Sequence, residues 1–369
     1  MNIIFFVSTR LVKIIKVLGV DPGSYSWDFI GFDEEQGICL DHSIPTKQIQ
    51  KNPEICLELI KSRGNFDLLS APSGFGLPLK KIVDMSDEDF FLTILKKKSK
   101  KDSIIGLTQI LKLLKKEKIN GYMLPSVKHL PTVKRYHKIN KIDLGTADKL
   151  CTSVVGIRNQ MEDLSIPCNE TSFIMVEMGY AFSAVLAIEN GKIIDGIGGS
   201  NIMGFRAVGS IDGEVAYLMG KIRKRDVYKG GVSSIAGFGD MKAEELILLA
   251  KKDEKTQVAL NAYYDSVKKA VYAISSSFYN PENIKQVLFA GRYARFDPLV
   301  KPLLQDLKLI APTKVMRSYA QISKESAQGA AFIANGLLGG RFKDIVDTLQ
   351  IRKASGSILD DIYLPLEYK

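Results

Sequence analysis

Short apolar blocks separated by polar turns open the chain: residues 16–20, 27–32 and 38–44 run apolar over strand-length stretches and predict a three-stranded meander. Asn52-Pro53 then offers an N-cap and a first-turn proline for a helix that stops at Gly64. Residues 68–70 read as a further buried strand and lead into Ala71-Pro-Ser-Gly-Phe-Gly-Leu-Pro78. Two glycines and two prolines in that stretch predict a constrained loop that can be approached closely. Residues 85–121 are Lys-rich with a helical pattern, which predicts a cap inserted beside the sheet. Leu150, Cys151, Val154 and Val155 form an apolar stripe on the next helix, with Thr146 placed to cap it. Strands then begin again: residues 173–195 predict a hairpin, residues 256–279 a long helix, 286–290 a strand and 325–338 an Ala/Gly-rich helix packed on a sheet.

The two halves repeat one another in outline. Leu18-Gly-Val-Asp-Pro-Gly-Ser carries Asp21 and Gly23, and Ile174-Met-Val-Glu-Met-Gly-Tyr carries Glu177 and Gly179 at the same spacing. Both copies turn again at a glycine, Gly37 or Gly191, and return to an acid, Asp41 or Asp195. A two-copy repeat at this distance signals a duplicated lobe, not a solenoid. A strand ending in acid-x-Gly puts a carboxylate at its tip and lets backbone N–H groups approach a ligand beside it. That pairing suits a magnesium nucleotide, with the N–H groups toward phosphate and Asp21 and Glu177 toward the metal or its waters. Isolated acid-x-Gly turns are common in ordinary hairpins. Two in matching strand contexts favour a shared site, with Ser24 beside the first.

Length adds the domain organisation. A chain of 369 residues exceeds one compact core of usual size, which predicts two lobes, residues 1–165 with the Lys-rich insertion at 85–121, and residues 166–369. The net charge of +10 suits an anionic ligand. Much of the excess sits between residues 96 and 118, and without interleaved aromatics it reads as a solvated arm, not a nucleic-acid surface. Cys39, Cys56, Cys151 and Cys168 have no CxxC spacing, which fits free thiols in a reducing cytoplasm and not a zinc site. No apolar stretch of spanning length is free of charge, and residues 1–20 carry Arg10, Lys13 and Lys16 and lack a small-residue cleavage site. One subunit and a homodimer both stay open.

Candidate chemistry clusters around the constrained segments. Ser73, Gly74, Phe75 and Gly76 are placed to line a cleft and contact a substrate. The Pro-broken segment before Lys141 carries His129, Arg135 and His137, candidates for holding an anionic acceptor, although lone histidines are more often plain polar residues. Asp143 falls just outside a helix N-terminus and Asp148 in its first turn, where acids are favourable on dipole grounds alone. The functional alternative is general base or phosphate-site organiser, with Asp143 ahead of Asp148. Gly198 and Gly199 form a loop able to meet phosphate, and residues 221–229 a cationic patch able to cover a nucleotide. Gly291 and Arg292, at a strand's end, are placed for adenine or ribose to approach and for a guanidinium to stack or reach phosphate.

At these residues the chain resembles the superfamily of acetate and sugar kinases, large heat-shock chaperones and actin. Asp21-Pro-Gly-Ser is similar to its first phosphate motif, Glu177-Met-Gly to its second, and Phe289-Ala-Gly-Arg to its adenosine motif. Through Pro72-Ser-Gly-Phe-Gly-Leu-Pro, Ile142-Asp-Leu-Gly-Thr-Ala-Asp-Lys and Asp212-Gly-Glu-Val-Ala-Tyr it resembles, over nearly its whole length, an archaeal family of unknown function labelled predicted butyrate kinases. The resemblance implies two related actin-like α/β lobes of ribonuclease H-like type, closing over ATP and Mg2+ to transfer the γ-phosphoryl group. Departures from the pattern are Glu177 in place of the commoner Asp and a single glycine, Gly291, in the adenosine motif. A carboxylate acceptor needs cations, whereas a sugar or polyol needs a base. The Lys/Arg/His-rich segment leans toward a short-chain carboxylate and Asp143 keeps the alcohol alive. The rival class is an ATP-binding switch acting on a protein partner, which would fill the space beside Asp21 with side chains, where a kinase keeps a pocket bounded by Ser73, Gly74 and Asp143.

Overall fold

The computed structural model describes residues 14–95, 107–239 and 241–366. The first apolar blocks form β1 (Lys16–Pro22), β2 (Ser26–Asp33) and β3 (Gly37–Pro45), an antiparallel meander. Helices α1 (Thr46–Lys51) and α2 (Glu54–Ser62) lead to β4 (Leu68–Pro72). Asn52 accepts from the Glu54 N–H at the start of α2. Next come β5 (Lys80–Lys81), α3 (Asp87–Ile94), α4 (Leu107–Lys116), β6 (Gly121–Leu124), α5 (Arg135–Lys138) and α6 (Ala147–Leu164). The sheet order is β3-β2-β1-β4-β6-β5. Most of the Lys run, from Lys96 to Lys101, lies outside the described residues.

The second half rebuilds the same topology. β7 (Phe173–Met178), β8 (Ser183–Glu189) and β9 (Lys192–Ile197) form the meander. After it run α7 (Gly213–Met219), α8 (Lys224–Val227), α9 (Val232–Ile235), α10 (Ala243–Leu249), α11 (Glu254–Ser275), β10 (Gln286–Ala290), α12 (Asp297–Asp306), β11 (Thr313–Val315), α13 (Glu325–Leu337) and α14 (Lys343–Thr348). The sheet order is β11-β10-β7-β8-β9, the first sheet's order without an extra edge strand. Helix α11 starts two residues earlier than the periodicity suggests, because Asp253 caps it by accepting from Thr256 N–H at 2.8 Å. Among the described residues no helix is long and apolar enough to cross a membrane.

The duplication holds to the residue. Asp21 pairs across its hairpin with Asp28, and Glu177 with Ala184, seven residues on in both copies. The Gly23 N–H donates to Ser26 O at 3.0 Å and the Gly179 N–H to Phe182 O at 2.9 Å, so both tips are closed by the same turn. The register between second and third strands slips after Gly31 in one copy and after Ala187 in the other, ten residues past each acid. This equivalence follows from matched backbone requirements and not from matched side chains.

The helices that end each half are exchanged. Helix α13 closes the second repeat in sequence but packs on β1, β4 and β2 of the first sheet, while α6, which closes the first, packs on β7 and β8 of the second as well as on β4. The two helices lie against one another between the sheets and supply the central apolar layer with Leu150, Val154, Ala327, Ala330 and Ala334. A separate core covers the outer face of each sheet. The small residues that periodicity assigned to α13 are needed at this crossing: a Cβ on Gly329 would stand 1.8 Å from the Cys151 carbonyl oxygen of α6. Gly329→Ala therefore forces the helices apart, and urea unfolding should show a loss of roughly 1–3 kcal/mol. A stability within a few tenths of wild type would contradict this close crossing.

Candidate active site

Both hairpin tips open into one cavity of about 510 Å3 between the lobes. Asp21, Gly23 and Ser24 line it from the first lobe, Glu177 and Gly179 from the second, with Gly74, Phe75, Asp143, Asp148, Gly199, Gly291 and Arg292 around them. The backbone N–H groups of Ser24, Tyr25, Tyr180 and Ala181 meet no acceptor among the described residues. Across the gap the Tyr25 and Tyr180 rings approach to 5.4 Å between centroids, and the Arg292 guanidinium lies 4.1 Å from the Tyr25 ring centre. Arg292 stacks, then, but on protein aromatics that bridge the lobes.

Each hairpin acid is held by a lysine. Lys324 Nζ lies 2.8 Å from Asp21 and 3.6 Å from Asp28. Lys149 Nζ lies 2.9 Å from Glu177 and 2.5 Å from Asp148. Burial nonetheless raises the Asp21 carboxyl, with Lys324 opposing and the neighbouring Asp148 and Asp28 adding to the rise. Burial likewise raises Glu177, against Lys149. Lys149 and Lys324 are penalised by burial, but the carboxylates outweigh it and hold both ammoniums above their ordinary value. Asp148 is shifted the other way: burial opposes, but Lys149, with the Thr146 hydroxyl donating to it, holds it below the usual range. Thr146 occupies the N-cap position of α6, yet its hydroxyl serves Asp148 and makes no cap bond, which corrects its expected role.

The fit to a metal follows from the same count. Asp21, Asp28, Asp148 and Glu177 carry four negative charges against two ammoniums, and Glu177 Oε2 is buried without a hydrogen-bond partner among the described residues. No cluster of three or more metal-ligating side chains exists among the described residues, so there is no complete protein cage. Mg2+ does not require one, since it keeps waters and takes one or two carboxylates together with phosphate oxygens. Asp21 and Glu177 fit that partial set.

Asp143 lines the same cavity. Its carboxylate accepts from Gly145 N–H at 3.1 Å and Ser200 N–H at 2.9 Å, and a Cβ on Gly198 would strike it at 1.9 Å. Gly198 thus serves Asp143's position and does not itself line the cavity. Burial raises this carboxyl, partly offset by the N–H donors. From the second lobe α8 brings Lys224 over the Phe75 ring, 4.3 Å from its centre, and burial lowers Lys224 against the pull of Asp143. Thr93, Ile94 and Leu107 from α3 and α4, with Phe182 and Tyr228, also line the cavity.

Four expected substrate contacts lie outside the cavity lining. Ser73 is buried and accepts from Leu77 N–H at 3.0 Å, so it shapes the loop without lining the cavity. Gly76 (φ +137°) packs against His129 and Ser126 in the same supporting role. Arg135 is drawn to Asp361 at 2.6 Å, and His137 to Asp195 at 3.1 Å, both outside the cavity lining. The structure thus places these two side chains on acids of the C-terminal tail and β9, away from the cavity where an acceptor was expected to meet them. Lys149 and Lys324 were not singled out, and Lys224 was named only within the cationic patch 221–229. The available signal was a lysine at the start of α6 and of α13, Lys149 and Lys324.

A family model described as "Protein of unknown function (DUF1464)" matches residues 19–364. The chain belongs to that family. No curated protein matches significantly. A propionate kinase from Francisella tularensis subsp. tularensis SCHU S4 superposes with TM-score 0.61 at 13% identity, over 86% of this chain and 98% of that chain. An acetate kinase from Entamoeba histolytica gives 0.56 at 12%, over 81% and 87%, and a putative N-acetylmannosamine kinase from Listeria monocytogenes 0.51 at 9%, over 86% and 98%. At these identities the likeness is one of fold: two related α/β lobes of the actin-like ATPase type, as expected.

His129 behind the loop supplies a pH test. Its Nδ1 lies 2.9 Å from Ser126 Oγ, its Nε2 has no partner among the described residues, and burial, with Lys138 and Lys128 adding, pushes its pKa down to about 4. The folded value lies below the unfolded 6.5, so this contribution is intact above pH 6.5 and fades as pH falls to 4, by roughly 3 kcal/mol in all. Urea melts between pH 7 and 4 should show wild type losing more stability than His129→Gln. Parallel losses would contradict a buried neutral ring.

Proposed function

We propose that this protein transfers the γ-phosphoryl group of ATP, as its Mg2+ complex, to a small acceptor, a short-chain carboxylate. The observation that carries the reading is the shared cavity: Asp21 and Glu177, from opposite lobes, open into the same space as Gly74 and Asp143. A nucleotide-driven switch would fill that space with side chains, and it is open.

Asp21 and Glu177 would hold the metal through carboxylate oxygens, and the metal would neutralise the phosphate charge that builds up in transfer. The N–H groups at both hairpin tips would face phosphate oxygens. Gly291 and Arg292 line the cavity where the adenosine would lie; the missing Cβ of Gly291 itself makes way for the Met178 carbonyl and Glu177. Among the lining residues Phe75, Ile94, Leu107 and Phe182 would favour a short alkyl chain, and the Lys224 ammonium would offset a carboxylate's charge. An acceptor carboxylate oxygen would attack the γ-phosphorus as the bond to the β–γ bridging oxygen breaks, giving an acyl phosphate and ADP with no proton to remove. One observation favours a hydroxyl acceptor instead: Asp143 is oriented by two N–H donors and raised by burial, which suits a general base.

Screening short-chain acids and polyols for phosphate transfer from ATP tests the reading. Transfer to acids of two to about four carbons is expected, with Asp21→Asn lowering turnover roughly 100-fold or more while the fold is kept. Transfer to polyols alone would move the acceptor to the Asp143-based alternative. Undiminished turnover in folded Asp21→Asn would remove this site.

A further inference from the structure

The two lysines that hold the hairpin acids are not equivalent. Lys149 is locked: its side chain is 9% exposed and its ammonium is shared between Asp148 and Glu177. Lys324 is the more exposed of the two and sits on a fixed mount. Asp41 accepts from the backbone N–H groups of Gln321, Ile322 and Ser323 and from the Ser323 hydroxyl, and Asp28 accepts from the Lys324 N–H at 3.0 Å. The main chain beneath is therefore pinned, while the side chain is 30% exposed on the cavity wall. Its Nζ also rests against the first hairpin's tip, where a Cβ on Gly23 would come within 2.6 Å of it. That tip carries Ser24 and Tyr25, which line the cavity and whose N–H groups meet no backbone acceptor among the described residues. Beside it, Ser326 lines the cavity and is 5% exposed, with a hydroxyl that has no partner among the described residues. A satisfied structural ion pair does not account for an orphaned polar atom next to it.

We propose that Lys324 grips the terminal phosphate, exchanging Asp21 for a phosphate oxygen when a magnesium polyphosphate enters the cavity. The proposal rests on the reading of the cavity as a phosphoryl-transfer site and names the residue that recognises the group transferred. Charge favours the exchange: Asp21 releases one cation as another arrives with the ligand, so the buried carboxylate is not left unpaired. An ammonium on a four-carbon stem can swing between the two oxygens without moving the backbone. The competing role is a fixed counter-ion for Asp21 and Asp28, which affects stability and leaves ligand recognition unchanged.

Calorimetric titration with magnesium tripolyphosphate, which has no base or sugar, isolates the phosphate contact. Wild type should bind, folded Lys324→Met should lose at least about tenfold in affinity, and Lys324→Arg should recover most of it. Since Lys324→Met strands Asp21 beside Asp28 and can unfold the chain, the same titration on wild type is followed through the lysine Nζ resonances. The Lys324 signal should shift while that of Lys149 stays put. A static Lys324 signal in a protein that binds, or a folded Lys324→Met with wild-type affinity, overturns the proposal. Wild type that binds tripolyphosphate through Lys324 but not ATP keeps the lysine and removes the ATP-kinase reading. Wild type that binds ATP with Lys324 unmoved does the reverse, and binding of neither overturns both.

Discussion

Two buried carboxylates at the tips of opposed hairpins can persist only if each is paired, and the fold meets this with lysines carried by exchanged helices. Lys324, at the start of the helix that ends the second repeat, holds Asp21 of the first, and Lys149, on the helix that ends the first, holds Glu177 of the second. An uncompensated buried charge costs several kcal/mol, so the crossed pairs tie the hairpin tips to the α6–α13 crossing. Gly329, at that crossing, thus contributes indirectly to the geometry of a site it does not touch. The lobes are joined by side chains at their centre as well as by the chain that links them.

What the sequence made legible was local. The strand blocks, the acid-x-Gly tips and the constrained loop after β4 announced themselves through short continuous apolar runs and glycine placement, because the forces that set them act over a few residues. The lysines escaped notice because their partners are distant: Lys149 and Glu177 are 28 residues apart, Lys324 and Asp21 303. Arg135 and His137 went astray for the complementary reason. Polar, cation-rich composition says that acids will be found nearby, not which ones, and the fold brings Asp361 and Asp195 to these side chains. Thr146 stands at the N-cap position of its helix, but Asp148 captured its hydroxyl. Pairwise chemistry at long separation is settled by the fold and leaves little trace in one chain.

The cavity is nearly balanced in charge, with Asp21, Asp28, Asp143, Asp148, Glu177 and Glu325 facing Lys149, Lys224, Arg292, Arg295 and Lys324. Such a surface takes up a metal and a polyanion together better than either alone, since each compensates the charge the other disturbs. Apolar Phe75, Ile94, Leu107 and Phe182 share the cavity lining with Lys224 and Asp143, and under the proposed reading it is these groups that would tell acid from alcohol acceptors. A crystal structure with Mg2+ and a non-hydrolysable ATP analogue tests the central claim most directly. The account predicts one polyphosphate touching both hairpin tips with the metal within reach of Asp21 and Glu177; a nucleotide bound at one tip alone, or outside the cavity, would contradict it.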